Sequence, residues 1–218
     1  YWFCAGDSFE KVRGLNEYVV NEGFEKLITE TKTYWNSWLS KRKLNFGDLD
    51  NAFVNQYNKS LILLKSHINQ NGAIITSVDF EHCEFNKDTY NYVNPRDAAI
   101  AAMALDSAGY MEISRKFFRF IKKIVSKGGY FWQKYYPDGS IASMWHSWYI
   151  KNRYQLPIQE DQTAIMLISL AKHYEVSKDI QFIEEVYKKL IKKPVEFLCD
   201  YIDENKNIVF TSYDIWGD

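Results

Sequence analysis

The sequence predicts an all-α protein, a toroid of helical hairpins with its long loops gathered at one end. Three observations carry this expectation. Apolar residues recur at spacings of three and four in successive stretches of the 218-residue chain, the period of a half-buried helix. The connections alternate, one short and the next long and aromatic. No short unit repeats at a fixed sequence period, which argues against a tetratricopeptide-type solenoid. About five or six helices are expected after Asp48, only part of such a ring.

The first six residues, "YWFCAG", are aromatic and closed by glycine, and read as the last strand of something upstream. Ser8 is a helix cap, with the helix running to about Asn21 and Gly23 punctuating it. A second amphipathic stretch covers Phe24 to Ser40, with Leu27, Trp35 and Leu39 near one face. Asp48 opens the next helix, whose stripe is Phe53, Tyr57, Leu61, Leu64 and Ile68. Asn71-Gly72 is a turn, followed by a brief extended "AIITS". Residues 77–94 form a long loop, a length usually kept for function. Pro95 begins a helix with a small-residue face, Ala98, Ala101, Ala102 and Leu105, that Gly109 ends. Phe117, Phe120, Ile121 and Ile124 stripe the next helix, closed by Gly128-Gly129. A second long loop, 130–156, holds the turn "YYPDGS" and the motif "WHSW". After Pro157 comes a helix with Ala164, Leu167, Ile168 and Ala171 expected inward. Asp179 caps a last helix that Pro194 kinks or splits.

Composition narrows the function classes. A formal net charge of −1 offers no electrostatic footprint for nucleic acid or an anionic membrane. No apolar run reaches the ~20 residues of a membrane span. Lys122-Lys123 and Lys188-Lys189 lie in helical patterns and read as solvated faces. Cys4, Cys83 and Cys199 are odd in number and far apart, so neither a disulfide framework nor a metal knuckle is suggested. The thiols fit a reducing compartment and hence a cytoplasmic location. The first residue is Tyr1 and not methionine, so the natural N-terminus is expected upstream and a removed signal peptide stays open.

Three loop-to-helix junctions share one chemical character. "YVNPRDAA" puts Arg96 and Asp97 at a helix start, "LPIQEDQTA" does so for Gln159, Glu160 and Asp161, and "SYDIWGD" supplies Tyr213, Asp214, Trp216 and Asp218. Acids at helix N-termini serve capping and the macrodipole, and Arg96 with Asp97 makes a plausible ion pair. Neither account explains an arginine at a positive helix end. Planar forks of Arg, Asp, Gln and Glu suit paired hydroxyl groups. Trp145, Trp148 and Trp216 sit in loops outside the helical stripes, where each either packs under its loop or stacks on a ligand. His146 reads as a hydroxyl ligand or a packed ring, and His67, His82 and His173 as structural. No phosphate loop or nucleophile elbow is present.

Five blocks in order, "DTYNYVNPRDAAIAAMALDSAGY", "GYFWQKYYPDGS", "WHSW", "LPIQEDQTAIMLISLAKHYE" and "SYDIWGD", resemble the family 15 glycoside hydrolases, the glucoamylase family, in its prokaryotic and archaeal branch. The resemblance covers about 48–218. It implies an (α/α)6 barrel of which about the first half is present, with 7–47 as a helical linker and 1–6 as the end of an upstream β-sandwich. It implies an inverting hydrolase that releases glucose from the non-reducing ends of α-glucans, acting on oligo- or polysaccharide without metal or organic cofactor. Arg96 and Asp97 would bind the terminal glucose, Gln159, Glu160 and Asp161 would line the site, and Asp214 would support the general acid.

Two departures stand out. Where the family has tryptophan before Pro-Arg-Asp this chain has Asn94, a hydrogen-bonding group expected to alter substrate fit. The general-acid glutamate position falls on Gly217, and Asp218 is the substitute. The general base is expected in the second half of the barrel, outside these residues, so this segment alone should be inactive. Trehalose or isomalto-type hydrolysis, and a glucan-binding relic without its acid, are the alternative readings. A ligand-free helical scaffold is the third.

Overall fold

The computed structural model describes residues 1–41, 44–78, 90–144, 148–150, 152–154, 156–205 and 207–210. It is predominantly helical, an all-α fold in which the strands among the described residues are two residues long. Two compact units divide the chain, Tyr1–Ile62 and Leu63–Asp218. No helix among the described residues is long and apolar enough to cross a membrane.

In the first unit, α1 (Phe9–Glu22) and α2 (Phe24–Leu39) follow their local signals. Ser8 accepts the Lys11 N–H at 3.3 Å, and Gly23, at φ 79°, makes the bend between the helices. Trp38 is the buried residue of α2, edge-on to Trp35 at 5.9 Å, while Leu27, Trp35 and Leu39 are half-buried. Tyr1–Gly6 forms neither helix nor ladder. The third helix, α3, runs Asn51–Ser66, and its cap is Asp50, not Asp48. The Asp50 carboxylate accepts the Ala52 N–H at 2.7 Å. Of the expected stripe Leu61 is buried and Phe53 exposed.

The second unit is built on α4 (Pro95–Ser107), α5 (Met111–Ile124) and α6 (Glu160–Ser177). Ala98, Ala99, Ala102 and Leu105 of α4 are buried, and their small size lets neighbours reach its backbone. The Ser114 hydroxyl of α5 donates to the Ala102 carbonyl at 3.1 Å. The Ser169 hydroxyl of α6 donates to the Ala99 carbonyl at 3.0 Å. Phe117, Phe118, Phe120 and Ile121 bury the face of α5, at about 1.5–3 kcal/mol for each such side chain.

The inward face of α6 differs from expectation. Gln162, Thr163, Met166, Ser169, Leu170 and His173 are buried, whereas Ile168 is exposed. The inner face is half polar because its hydroxyl, amide and imidazole groups bond to α4 and to the 130–144 loop. His173 Nδ1 lies 3.0 Å from both Asp106 carboxylate oxygens. The apolar Leu167, Ala171 and Tyr174 instead join Ile183, Ile191 and Val195 around a hollow of about 330 Å³.

Asp179 caps α7 (Ile180–Val186), accepting the Phe182 N–H at 3.0 Å. A π-helical stretch, Tyr187–Lys192, leads into α8 (Lys193–Asp200). Pro194 has no N–H for the carbonyl one turn earlier and its ring crowds it, so the helix widens there. Gly129, at φ 94°, lies against this point: a Cβ on it would meet the Lys193 carbonyl oxygen at 2.3 Å.

Two hairpins escaped the sequence reading, β1 (Tyr149–Ile150) with β2 (Arg153–Tyr154) and β3 (Ile202–Asp203) with β4 (Ile208–Val209). Two residues are too few for alternation to register. Val93 and Tyr135 exchange backbone hydrogen bonds at 2.8 and 3.0 Å, tying the entry to α4 against the loop after α5. The Tyr135 hydroxyl braces that loop by accepting the Trp132 N–H at 2.8 Å.

Candidate functional site

The N-termini of α4 and α6 meet where these loops are tied. Asn94 ends the extended approach to α4, and its side-chain oxygen accepts the N–H of Arg96 at 3.0 Å and of Asp97 at 3.4 Å. Pro95 follows at the first helical position, where its missing N–H costs nothing. The Asn94 oxygen is turned inward as a cap, and the residue is 7% exposed.

Arg96 does not pair with Asp97. Its Nη1 donates to Asp161 Oδ2 at 2.6 Å and its Nη2 to Gln159 Oε1 at 3.5 Å. The guanidinium side chain is 12% exposed against 49% for Asp161, so the fork is held while the acid faces solvent. Asp97 Oδ2 accepts the Thr76 hydroxyl at 3.0 Å. Beneath them, Gln162 Nε2 donates to Gln159 Oε1 at 2.9 Å, the Gln133 carbonyl at 3.2 Å and Asn94 Oδ1 at 3.4 Å. Gln162 Oε1 is buried with no hydrogen-bond partner among the described residues.

Burial, then the neighbouring Asp161 charge, hold the Glu160 carboxyl above the usual glutamate range. The Tyr201 phenol is likewise raised, by burial first and then by the charge of Glu160. Among the described residues no group of three His, Cys, Asp or Glu is arranged to hold a metal ion. The cluster combines a rigid donor fork with carboxylates that accept, a combination that can grip vicinal hydroxyls.

Arg96, Asp97, Gln159, Glu160 and Asp161 are thus gathered at one place. Trp148 is on β1's approach, touching the rings of Trp132 at 5.1 Å and Tyr154 at 5.8 Å. Trp145, His146, Tyr213, Asp214, Trp216, Gly217 and Asp218 lie outside the described residues. Thr76 and Gln162 were not anticipated. Asn directly before Pro at a helix start was a legible capping signal, but nothing local marks Thr76 or Gln162.

No family model matches this chain. The chain is similar to an uncharacterized glycosyl hydrolase of Methanocaldococcus jannaschii. The two are 31% identical over 109 residues, 50% of this chain and 16% of that protein. Its matched part therefore spans about a sixth of that relative's length.

Proposed function

We propose that this chain contributes the hydroxyl-gripping part of a sugar site in a glycoside hydrolase, and that the enzyme is glucoamylase-like. The observation that carries the reading is the Arg96 fork, joined to Asp161 and Gln159 beside Asp97 and Glu160. Similarity to a protein named a glycosyl hydrolase supports it. The resemblance to family 15 supports the finer reading of an (α/α)6 catalytic domain over 48–218, preceded by a helical linker and a β-sandwich end at 1–6.

In this reading Arg96 donates to two adjacent hydroxyls of the terminal glucose and Asp97 accepts from one, which confines attack to chain ends. Asp161 holds the guanidinium plane in register. Glu160 lines the site. Asp218 protonates the leaving oxygen with Asp214 in support. The base that activates water belongs to the complementary part of the barrel, with the two carboxyls held ~6.5–9.5 Å apart so that water fits between them.

The test is the anomer first released when the full-length natural protein is given maltose, trehalose or isomaltose. Inversion at an α-linkage yields β-glucose, read by proton NMR before mutarotation. The attacked glucose released as the α-anomer (from trehalose, α-glucose alone in place of equal α- and β-glucose), or no glucose from any of the three, overturns the proposal. Gly217 at the usual acid position favours one second reading, a barrel that grips glucan without turnover. Asp218→Asn separates the two: in the hydrolytic reading turnover collapses while sugar binding remains.

A further inference from the structure

The side-chain amide of Gln162 has one orientation open to it, and its neighbours decide which. The residue is fully buried in the first turn of α6. Its amide faces three oxygens, Gln159 Oε1 at 2.9 Å, the Gln133 carbonyl at 3.2 Å and Asn94 Oδ1 at 3.4 Å. Two of these are oxygens whichever way round the Gln159 amide lies. The Gln133 partner is a backbone carbonyl, and the Asn94 oxygen accepts the backbone N–H groups of Arg96 and Asp97. The end of Gln162 that meets them must therefore be its NH2 group, since a carbonyl oxygen there would face only acceptors.

The same logic passes on to Gln159. An NH2 group at 2.9 Å calls for an acceptor, so Gln159 turns its oxygen toward Gln162, and that oxygen is the one Arg96 Nη2 meets at 3.5 Å. Gln159 is the N-cap residue of α6, yet its side chain caps no N–H group of that helix. The reverse amide would set a donor against the guanidinium, which has no acceptor to offer. Asp161, the other partner of Arg96, is half exposed, and a contact at one point lets the guanidinium plane turn about it. The arrangement leaves one group unmet. Gln162 Oε1 is buried with no hydrogen-bond partner among the described residues, a loss offset where the NH2 end has three acceptors to serve.

We propose that Gln162 is a positioning residue for the hydroxyl-gripping fork: it holds the Gln159 amide oxygen toward Arg96, so that Gln159 and Asp161 together fix the guanidinium plane. The proposal rests on the sugar-site reading above for what the fork binds. It adds a residue that is itself fully buried and acts on the sugar through Gln159. A carboxylate at position 159 would present an oxygen to Arg96 either way round, and so would not need Gln162. That difference separates positioning from support of the fold.

The experiment uses the full-length natural protein. Gln162→Met, of similar length but without N–H groups, is made in the natural sequence and again beside Gln159→Glu. Affinity for maltose, trehalose and isomaltose is read by isothermal titration calorimetry, and folding by Tm. In the natural background the change should weaken sugar binding about fivefold, the scale of one hydrogen bond. Beside Gln159→Glu it should weaken binding less than about twofold. Gln162→Asn, still an amide but one carbon shorter, provides the same comparison and should give the same order of losses. Equal losses in the two backgrounds overturn the proposal, as does a Tm that falls while sugar affinity holds in both, since Gln162 then serves the fold alone. A natural protein that binds none of the three sugars overturns the sugar-site reading instead. The comparison is then read in Tm, where a smaller fall beside Gln159→Glu still supports the orientation of Gln159 by Gln162, and equal falls overturn it.

Discussion

Replacing Asn94 by alanine tests whether the site is organised by the cap of α4. The substitution removes the acceptor for the Arg96 and Asp97 N–H groups, at 3.0 and 3.4 Å. Loss of an N-cap costs about 0.5–2 kcal/mol. The upper end applies because Asn94 is buried, so water does not readily replace the lost acceptor. Gln162 Nε2 also loses its 3.4 Å contact but keeps partners at 2.9 and 3.2 Å, which adds little. About 2 kcal/mol corresponds to a fall in Tm of about 4–8 °C for a unit of this size. Thermal and urea unfolding followed by far-ultraviolet circular dichroism measure it. Asn94→Ser, which retains a capping oxygen, should recover most of the loss. Because the cap fixes the backbone carrying Arg96 and Asp97, sugar affinity should fall in the same order. A loss below about 0.5 kcal/mol in Asn94→Ala, or equal losses in both variants, refutes the reasoning.

Glu160→Gln addresses pH. Burial raises the folded-state Glu160 pKa above its unfolded value. Its contribution to stability is therefore fully present below the unfolded pKa and is lost as pH rises through the folded one. The variant cannot ionise, so its Tm should decline less with rising pH across that window, and parallel Tm profiles would count against the assignment. Gly129→Ala should cost about 3 kcal/mol or more, since the new Cβ would lie 2.3 Å from the Lys193 carbonyl oxygen at φ 94°. Gly14→Ala, mid-helix with nothing within 4 Å, should instead stabilise by about 0.5–1 kcal/mol, and urea midpoints compare the two. Asp106→Ala leaves His173 buried between Phe118 and Phe182 without its carboxylate, a loss of about 3 kcal/mol. In the Asp106→Leu/His173→Phe pair the combined cost should be smaller than the sum of the single changes; additive costs would mean that the pair is not coupled.

Much of the fold was legible because helix boundaries are local. Ser8, Pro95 and Asp179 act on N–H groups within a turn of themselves, so their sequence context carries the whole interaction. Asp50 in place of Asp48 is the scale of error that such signals leave. The phase of α6 was not legible. Its inner face holds Gln162, Thr163, Ser169 and His173 by hydrogen bonds, while apolar residues also occupy its outer side, so hydrophobic period alone pointed to the wrong face.

The sequence by itself determined an all-α chain, the starts of its helices, and the residue types that gather at them. Only the tertiary structure decided which of those residues meet. Arg96 takes Asp161, 65 positions away, in preference to its neighbour Asp97, and Asp97 takes Thr76. Successive residues at a helix start point about 100° apart, so adjacent charges diverge, while two packed helix ends bring distant ones within hydrogen-bonding distance.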